Sequence, residues 1–306
     1  MRRLRLQSAM EYLLTYGWAI LIIAVVLGAL FQLGVFNAST FAPRAPPGAC
    51  QVFRPNGPNT ASLVNLEGVC SGELPQYVGV FNSAGHVTLG ASPIAESAQS
   101  ITVTAWVRLN AYDNLNSECQ EAVAQWGGSG NPGVLLRAVN GPGGGCGGTY
   151  SGGNTQAQAG IWAWGNGATQ YNCVLSTLPL NSWSFLALTY NGFYLTGYVG
   201  STQFSCSTGD LPLSLSEYTL VGSNSGGGDN LNGSIADIQI YNTSLSGPEV
   251  TALYDEGIGG SPIKLQNLVG WWPLNGNAND YSGNNNNGVP SGVTYTSQWT
   301  SGYTTP

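Results

Sequence analysis

The sequence predicts a mainly β protein in which one N-terminal apolar α-helix precedes an antiparallel β-sandwich. Three observations predict it. The first is a stretch from Tyr12 to Pro43 without a charge, preceded by Arg2, Arg3 and Arg5. The second is a series of short segments after residue 76, rich in β-branched and aromatic residues and each bounded by Gly, Asn, Ser or Pro. The third is composition: 44 Gly and 16 Pro among 306 residues, with only 8% charged side chains, leave little material for amphipathic helices.

Residues 1–6 form a basic leader and residues 7–36 a hydrophobic helix. The apolar part, Tyr12 to Phe36, has 25 residues. At about 1.5 Å rise each it is long enough to cross a hydrocarbon layer about 30 Å thick. It exceeds the roughly 7–15 apolar residues of a secretory signal. The arginines stay in the cytoplasm by the positive-inside rule, so the rest of the chain is expected at the cell membrane and cell surface, on the outside.

Glu11 is the exception in this segment, because a carboxylate at the edge of an apolar helix needs a partner. The string Gln7, Ser8, Ala9, Met10, Glu11 resembles the class III signal peptides of archaeal type IV pilin-like proteins. The resemblance implies that a prepilin peptidase-like enzyme cuts between Leu6 and Gln7. It also implies that the helix stays as membrane anchor or filament core, with Glu11 neutralising the new amino terminus of a neighbouring pilin subunit. Leu6 stands where that family usually has Gly. A plain uncleaved anchor, with Glu11 snorkelling to the interface, is the alternative.

Residues 37–48 are a Pro-rich linker that cannot continue a helix and acts as a semi-rigid spacer. Residues 49–75 read as an irregular, disulfide-braced strap. Strand signals follow at residues 76–90, 100–110, 121–127, 133–139, 160–167, 183–192, 193–206, 218–224 and 233–242. The alternation of Ile101, Val103, Ala105 and Val107 predicts a strand with one buried face. One short helix is expected over Ser246–Tyr254, with Ser246 as N-cap and Pro248 in the first turn.

The segments 81–90, 100–109, 181–192 and 231–257 stand in an order that resembles the laminin G-like, concanavalin A-like jelly roll, over about residues 76–306. The last is the most specific, with strand, turn and small helix in sequence. The string LVGWWPLNGNANDYSGNNNNG (268–288) is similar to that family's first strand yet stands at the C-terminal end. This implies a circular permutation in which the tail supplies the missing strand, with a truncated second repeat as the alternative.

The six cysteines, Cys50, Cys70, Cys119, Cys146, Cys173 and Cys206, all fall on the side expected to be oxidising. Fifteen pairings are possible; sequence proximity suggests 50 with 70, 119 with 146, and 173 with 206. No C-x-x-C occurs and His86 is the only histidine, so zinc is disfavoured. A formal charge of −7 argues against a nucleic-acid partner, which needs a basic face.

Catalysis is not expected. Glycoside hydrolysis needs two carboxylates facing one bond, and the nearest candidates, Glu118 with Glu121 and Asp255 with Glu256, read as solvated surface charge. Structural calcium is the cofactor to consider, through Asp237 and Asp280, which the jelly-roll resemblance brings together. The rival reading is that Asn and Asp serve the tight turns themselves. Trp162 and Trp164, two apart on a strand, with Asn166 beyond, would suit the face and hydroxyls of a sugar. Trp106, Trp183, Trp271 and Trp272 read as core. Asn37, Asn232 and Asn242 open N-glycosylation sequons.

The function expected from these features is a membrane-anchored or pilus-assembled adhesin whose jelly roll binds glycans. A structural minor pilin or envelope subunit without sugar binding is the second reading, and a glycoside hydrolase the third.

Overall fold

The computed structural model describes residues 16–27, 74–89, 100–111, 119–125, 133–139, 156–163, 169–207, 218–224 and 228–306, with backbone alone for 156–163, 169–172, 174 and 207. The chain divides into two units, one holding the N-terminal helix and the other all of the strands.

In the first unit, helix α1 runs over residues 16–27. Every one of its residues is exposed, Trp18, Ile20 and Val25 each by more than 60%. It therefore has no polar face and no buried one. It covers part of the expected Tyr12–Phe36 span, and among the described residues no helix is long and apolar enough to cross a membrane. The Pro-rich linker, nearly all of the strap, Leu6, Gln7 and Glu11 lie outside the described residues.

The second unit is an antiparallel sandwich. Its first eight strands are β1 (Val78–Asn82), β2 (His86–Thr88), β3 (Ile101–Leu109), β4 (Cys119–Gln125), β5 (Gly133–Val139), β6 (Gln156–Ala163), β7 (Thr169–Thr177) and β8 (Trp183–Tyr190). Then come β9 (Tyr194–Val199), β10 (Thr202–Ser207), β11 (Thr219–Val221), β12 (Asn232–Tyr241), helix α2 (Gly247–Asp255), β13 (Leu268–Trp272), β14 (Val289–Ser291) and β15 (Thr294–Thr296). Sheet A has the order β10-β9-β8-β3-β12-β1-β15, with β13 also on β12; sheet B has the order β14-β2-β11-β4-β5-β6-β7.

Strand β12 organises sheet A. One side pairs with β3 throughout. The other side is shared: β1 takes its first half, with Gly79 opposite Ile235, and β13 takes its second half, with Trp272 opposite Ile238. A bulge between Ala236 and Gln239 separates the two halves, and there Asp237 adopts a left-handed φ of 52°. A bulge of this kind re-aims a side chain.

Two cores result. Between the sheets lie Ile101, Val103, Ala105, Val107 and Leu109 of β3, with Leu136, Leu186, Ile238 and Trp272 among their neighbours. On the far side of sheet A, Trp106, Phe185 and Ala236 pack against Val250 and Leu253 of α2 and against Trp271 and Trp299. Strand β3 is therefore buried on both faces, which corrects the expectation of one. Its outward Thr102 remains satisfied because its hydroxyl donates to Thr243 O at 2.7 Å and accepts from Leu245 N–H at 2.9 Å.

Helix α2 starts where its sequence signals placed it. The backbone N–H and hydroxyl of Ser246 both donate to the Glu249 carboxylate at 2.9 Å. Lys264 Nζ lies 2.6 Å from the same carboxylate. The Lys264 hydrogen bond and then the Ser246 N–H lower the Glu249 carboxyl below its ordinary range.

The two open sides of the sandwich are closed by different devices. At one, Cys173 of β7 in sheet B is bonded to Cys206 of β10 in sheet A, as proximity suggested. At the other, the C-terminal hairpin straddles the gap, β14 pairing with β2 in sheet B and β15 with β1 in sheet A. Beyond the hairpin, Trp183 Nε1–H donates to Trp299 O at 2.9 Å and Trp299 Nε1–H to Pro75 O at 3.1 Å. Trp106, Trp183, Trp271 and Trp272 are all buried, as read from the sequence. Cys119 is disulfide-bonded too, while Cys50, Cys70 and Cys146 lie outside the described residues.

Candidate functional site

With α2 and residues 268–303 packed on the far side of sheet A, the far side of sheet B is accessible, among the described residues, at one end only. Its β14-β2-β11 end is accessible: Val289 and Tyr218 are more than 60% exposed, and His86 and Thr88 are half-buried. The registers bring Thr88 opposite both Leu220 and Val289, and His86 opposite Ser291. This end sets the His86 imidazole opposite Ser291 and the Thr88 hydroxyl between Leu220 and Val289, with the Tyr218 ring at its rim.

The β4-β5 part of that face is closed. Glu121 and Arg137 are directly opposed in register, and Arg137 Nη1 donates to Glu121 Oε1 at 3.3 Å. The pair is buried, with side chains 0% and 4% accessible for Glu121 and Arg137. Glu121 Oε2 is buried with no hydrogen-bond partner among the described residues. Burial is the largest influence on this carboxyl and pushes it up to about 7, against the attraction of Arg137 and with a smaller push from Asp229. The Glu121 N–H donates to Asp229 O, and Asp229 Oδ2 accepts from Asn224 Nδ2 at 2.7 Å. The expectation that Glu121 is solvated surface charge is thus corrected. A strand charge is buried when the register gives it an opposite charge across the ladder. Glu118 lies outside the described residues, whereas Asp255 is exposed as expected.

Asp237 and Asp280 meet at Trp271. Asp280 Oδ1 accepts the backbone N–H of Trp271 at 3.0 Å and of Ser282 at 2.8 Å. Its Oδ2 accepts the Ser282 hydroxyl and the Asn286 N–H, both at 2.9 Å. Asp237 Oδ1 accepts the Trp271 indole N–H at 2.7 Å and Gln239 Nε2 at 3.2 Å, and Gly259 adds a backbone bond. Burial nevertheless pushes the Asp237 carboxyl up to about 7. A hard cation needs converging oxygen acceptors, and here both carboxylates are met by N–H and O–H donors. This donor set does not fit calcium, and among the described residues no cluster of three or more His, Cys, Asp or Glu that could hold a metal is present.

Trp162 lies in β6, opposite Gly133 of β5 and Gln170 of β7. Strand β6 ends at Ala163, so Trp164 and Asn166 lie outside the described residues, as does Asn37. Asn232 opens β12 and Asn242 is exposed just after it. Sequence reasoning missed Arg137 and Tyr218. The signal for Arg137 was a single cation in the otherwise apolar run GVLLRAV, a placement that requires a partner.

The model of the concanavalin A-like lectin/glucanases superfamily matches residues 81–251. Among solved structures, one that is similar is a Bacteroides ovatus protein provisionally described as carbohydrate binding. It has 16% identity and a TM-score of 0.51 over 73% of this chain and 60% of that one. A heptameric SAP-like pentraxin from Limulus polyphemus has 11% identity and a TM-score of 0.47 over 72% of this chain and 94% of that one. Domain 4 of an extracellular arabinanase from Geobacillus stearothermophilus has 19% identity and a TM-score of 0.42, over 57% and 75%. A comparison with curated protein sequences found no match.

Proposed function

This chain belongs to the concanavalin A-like lectin/glucanases superfamily, and from that membership we propose that it is a cell-surface adhesin whose sandwich binds glycans. The observation that carries the reading is the asymmetry of the two sheets. The far side of sheet A is spent on α2 and the tail, while the far side of sheet B keeps an accessible end with Tyr218 at its rim. Trp162 of β6, with Trp164 and Asn166 following, belongs to the same proposal. A ring beside hydroxyls and amides is the equipment sugars select.

The anchor is the second part of the proposal. A helix that is apolar all round suits lipid or a bundle of like helices, and α1 has that character throughout. Its extension to Phe36, cleavage between Leu6 and Gln7, and pairing of Glu11 with a neighbouring subunit complete the pilin-like reading. In the same reading, the antiparallel pairing of β13 with β12 supports a tail that supplies a permuted first strand.

A structural envelope subunit is the rival, favoured by the burial of Glu121 and Arg137 on the face a ligand would use. A glycan array probed with the oxidised full chain in detergent separates the two, run with calcium and with a chelator. Reproducible binding to a related glycan set, lost in Tyr218→Ala or Trp162→Ala, supports the adhesin. Silence from folded protein gives the structural subunit instead, and dependence on the chelator would restore calcium.

A further inference from the structure

We infer that Asn242 is the glycan acceptor of the folded β domain and that Asn232, which opens a sequon of the same type, is not. The inference rests on the surface reading above, because the donor and its transferase act outside the cytoplasm. The reaction joins the side-chain nitrogen of Asn to the anomeric carbon of an oligosaccharide carried on a lipid phosphate. The anomeric C–O bond breaks, the lipid phosphate leaves with the electron pair, and one amide proton passes to a base of the transferase. The transferase must reach both the Asn nitrogen and the Ser hydroxyl two residues on.

Asn242 and Ser244 both stand outside the strand ladder. Asn242 is exposed and follows the last residue of β12. Its backbone N–H donates to Asn267 O at 3.0 Å, and its Oδ1 accepts from Asn267 Nδ2 at 3.0 Å. Asn267 thus engages the oxygen end of the amide and not Nδ2, the nitrogen that would carry the sugar, on an exposed residue. Ser244 lies outside the ladder and is half-buried. The chain on either side of it is held by Thr102, through Thr243 O and Leu245 N–H. The sequon is a fixed, outward-facing turn.

Asn232 is the opposite case. Its N–H donates to Gln120 Oε1 at 2.8 Å and its carbonyl accepts the Asn110 N–H at 2.9 Å. Ser234 is 5% exposed and sits between Arg108 of β3 and Val80 of β1. Gly233 between them packs so closely on the Arg108 carbonyl that a Cβ would overlap it. Presenting this sequon would require pulling β12 out of the middle of sheet A.

The test is peptide mass spectrometry on the full chain purified from cells that make it, cleaved at aromatic residues so that Tyr241 separates the two sites. In parallel, intact cells are shaved with protease to report whether the domain is outside. The expected result is a sugar mass on the Asn242 peptide, none on the Asn232 peptide, and a bare Asn242 in Ser244→Ala, which leaves the Asn267 contact intact. A bare Asn242 on a domain that shaving removes overturns the inference and spares the surface reading. Sugar on Asn232 overturns it equally, and a domain resistant to shaving in a soluble fraction overturns both.

Discussion

Asp237 Oδ1 accepts the indole N–H of Trp271 at 2.7 Å, tying the bulge of the central strand β12 to the C-terminal strand β13. The bond sits where β1 stops pairing with β12 and β13 begins. It therefore fixes how far β13 slides along β12. Trp271→Phe keeps most of the ring volume but removes the donor. Leaving a buried acceptor short of a partner costs about 1–3 kcal/mol, to be read as a lowered denaturation midpoint in urea at unchanged slope. An unaltered midpoint would show that the bond is replaceable.

Glu121 sets a pH dependence whose sign follows from its environment. Its carboxyl is raised to about 7 in the folded protein, so the folded state holds a proton that the unfolded chain releases near its ordinary value. Stability from this group is present below pH ~4.5 and is lost as pH rises through about 7, at no more than ~1.4 kcal/mol per pH unit. Asp237 is raised to about 7 as well and adds the same sign. Glu249 is lowered, so its window lies below this one. Thermal melts between pH 5 and pH 8 should show a falling midpoint, with a shallower fall in Glu121→Gln. A midpoint that climbs across that interval would contradict the assignment.

The Cys173–Cys206 bond closes a sequence separation of 33 residues. Loop-closure entropy for that length is worth about 3–4 kcal/mol. The Cys173→Ser/Cys206→Ser double variant should lose stability of that order and fray first at β7 and β10, seen as faster amide exchange in those two strands. A substitution is preferable to a reductant because Cys119 is also in a disulfide. Uniform protection across both sheets in the variant would count against the staple.

Gly233→Ala places a methyl group against the Arg108 carbonyl across the β12–β3 ladder. The obstacle is backbone, which cannot rotate away, so the two central strands must part locally. Overpacking of this kind typically costs about 1–3 kcal/mol. Gly17→Ala, where nothing stands within 4 Å of the added carbon, is the control and should leave the sandwich's melting unchanged.

Much of the sandwich could be read from residue type alone. Strand β5 falls on the expected 133–139, and α2 begins behind Ser246 as its cap predicts. Strand β7 escaped because TQYNCVLST carries Gln, Asn and Cys where strand signals need branched or aromatic residues. The three-residue strands β14 and β15 are too short for any period to show. What sequence could not supply was long-range register. Thr102 and Thr104 look like a solvent face until α2 and the tail arrive to cover them, and Glu121 looks exposed until Arg137 is set opposite. The site reading suffered for the same reason, since the far faces of two sheets are told apart only by what lies on top of them.

The C-terminal hairpin has a further consequence for how the protein is made. One half of an edge of β12, and the outer edges of both β1 and β2, stay unpaired until residues 268–296 exist. Until that segment has been made and has docked, the chain carries three sheet edges without those partners. Such edges template aggregation, so a chain cut short before residue 268 is expected to aggregate where the longer chain stays dispersed.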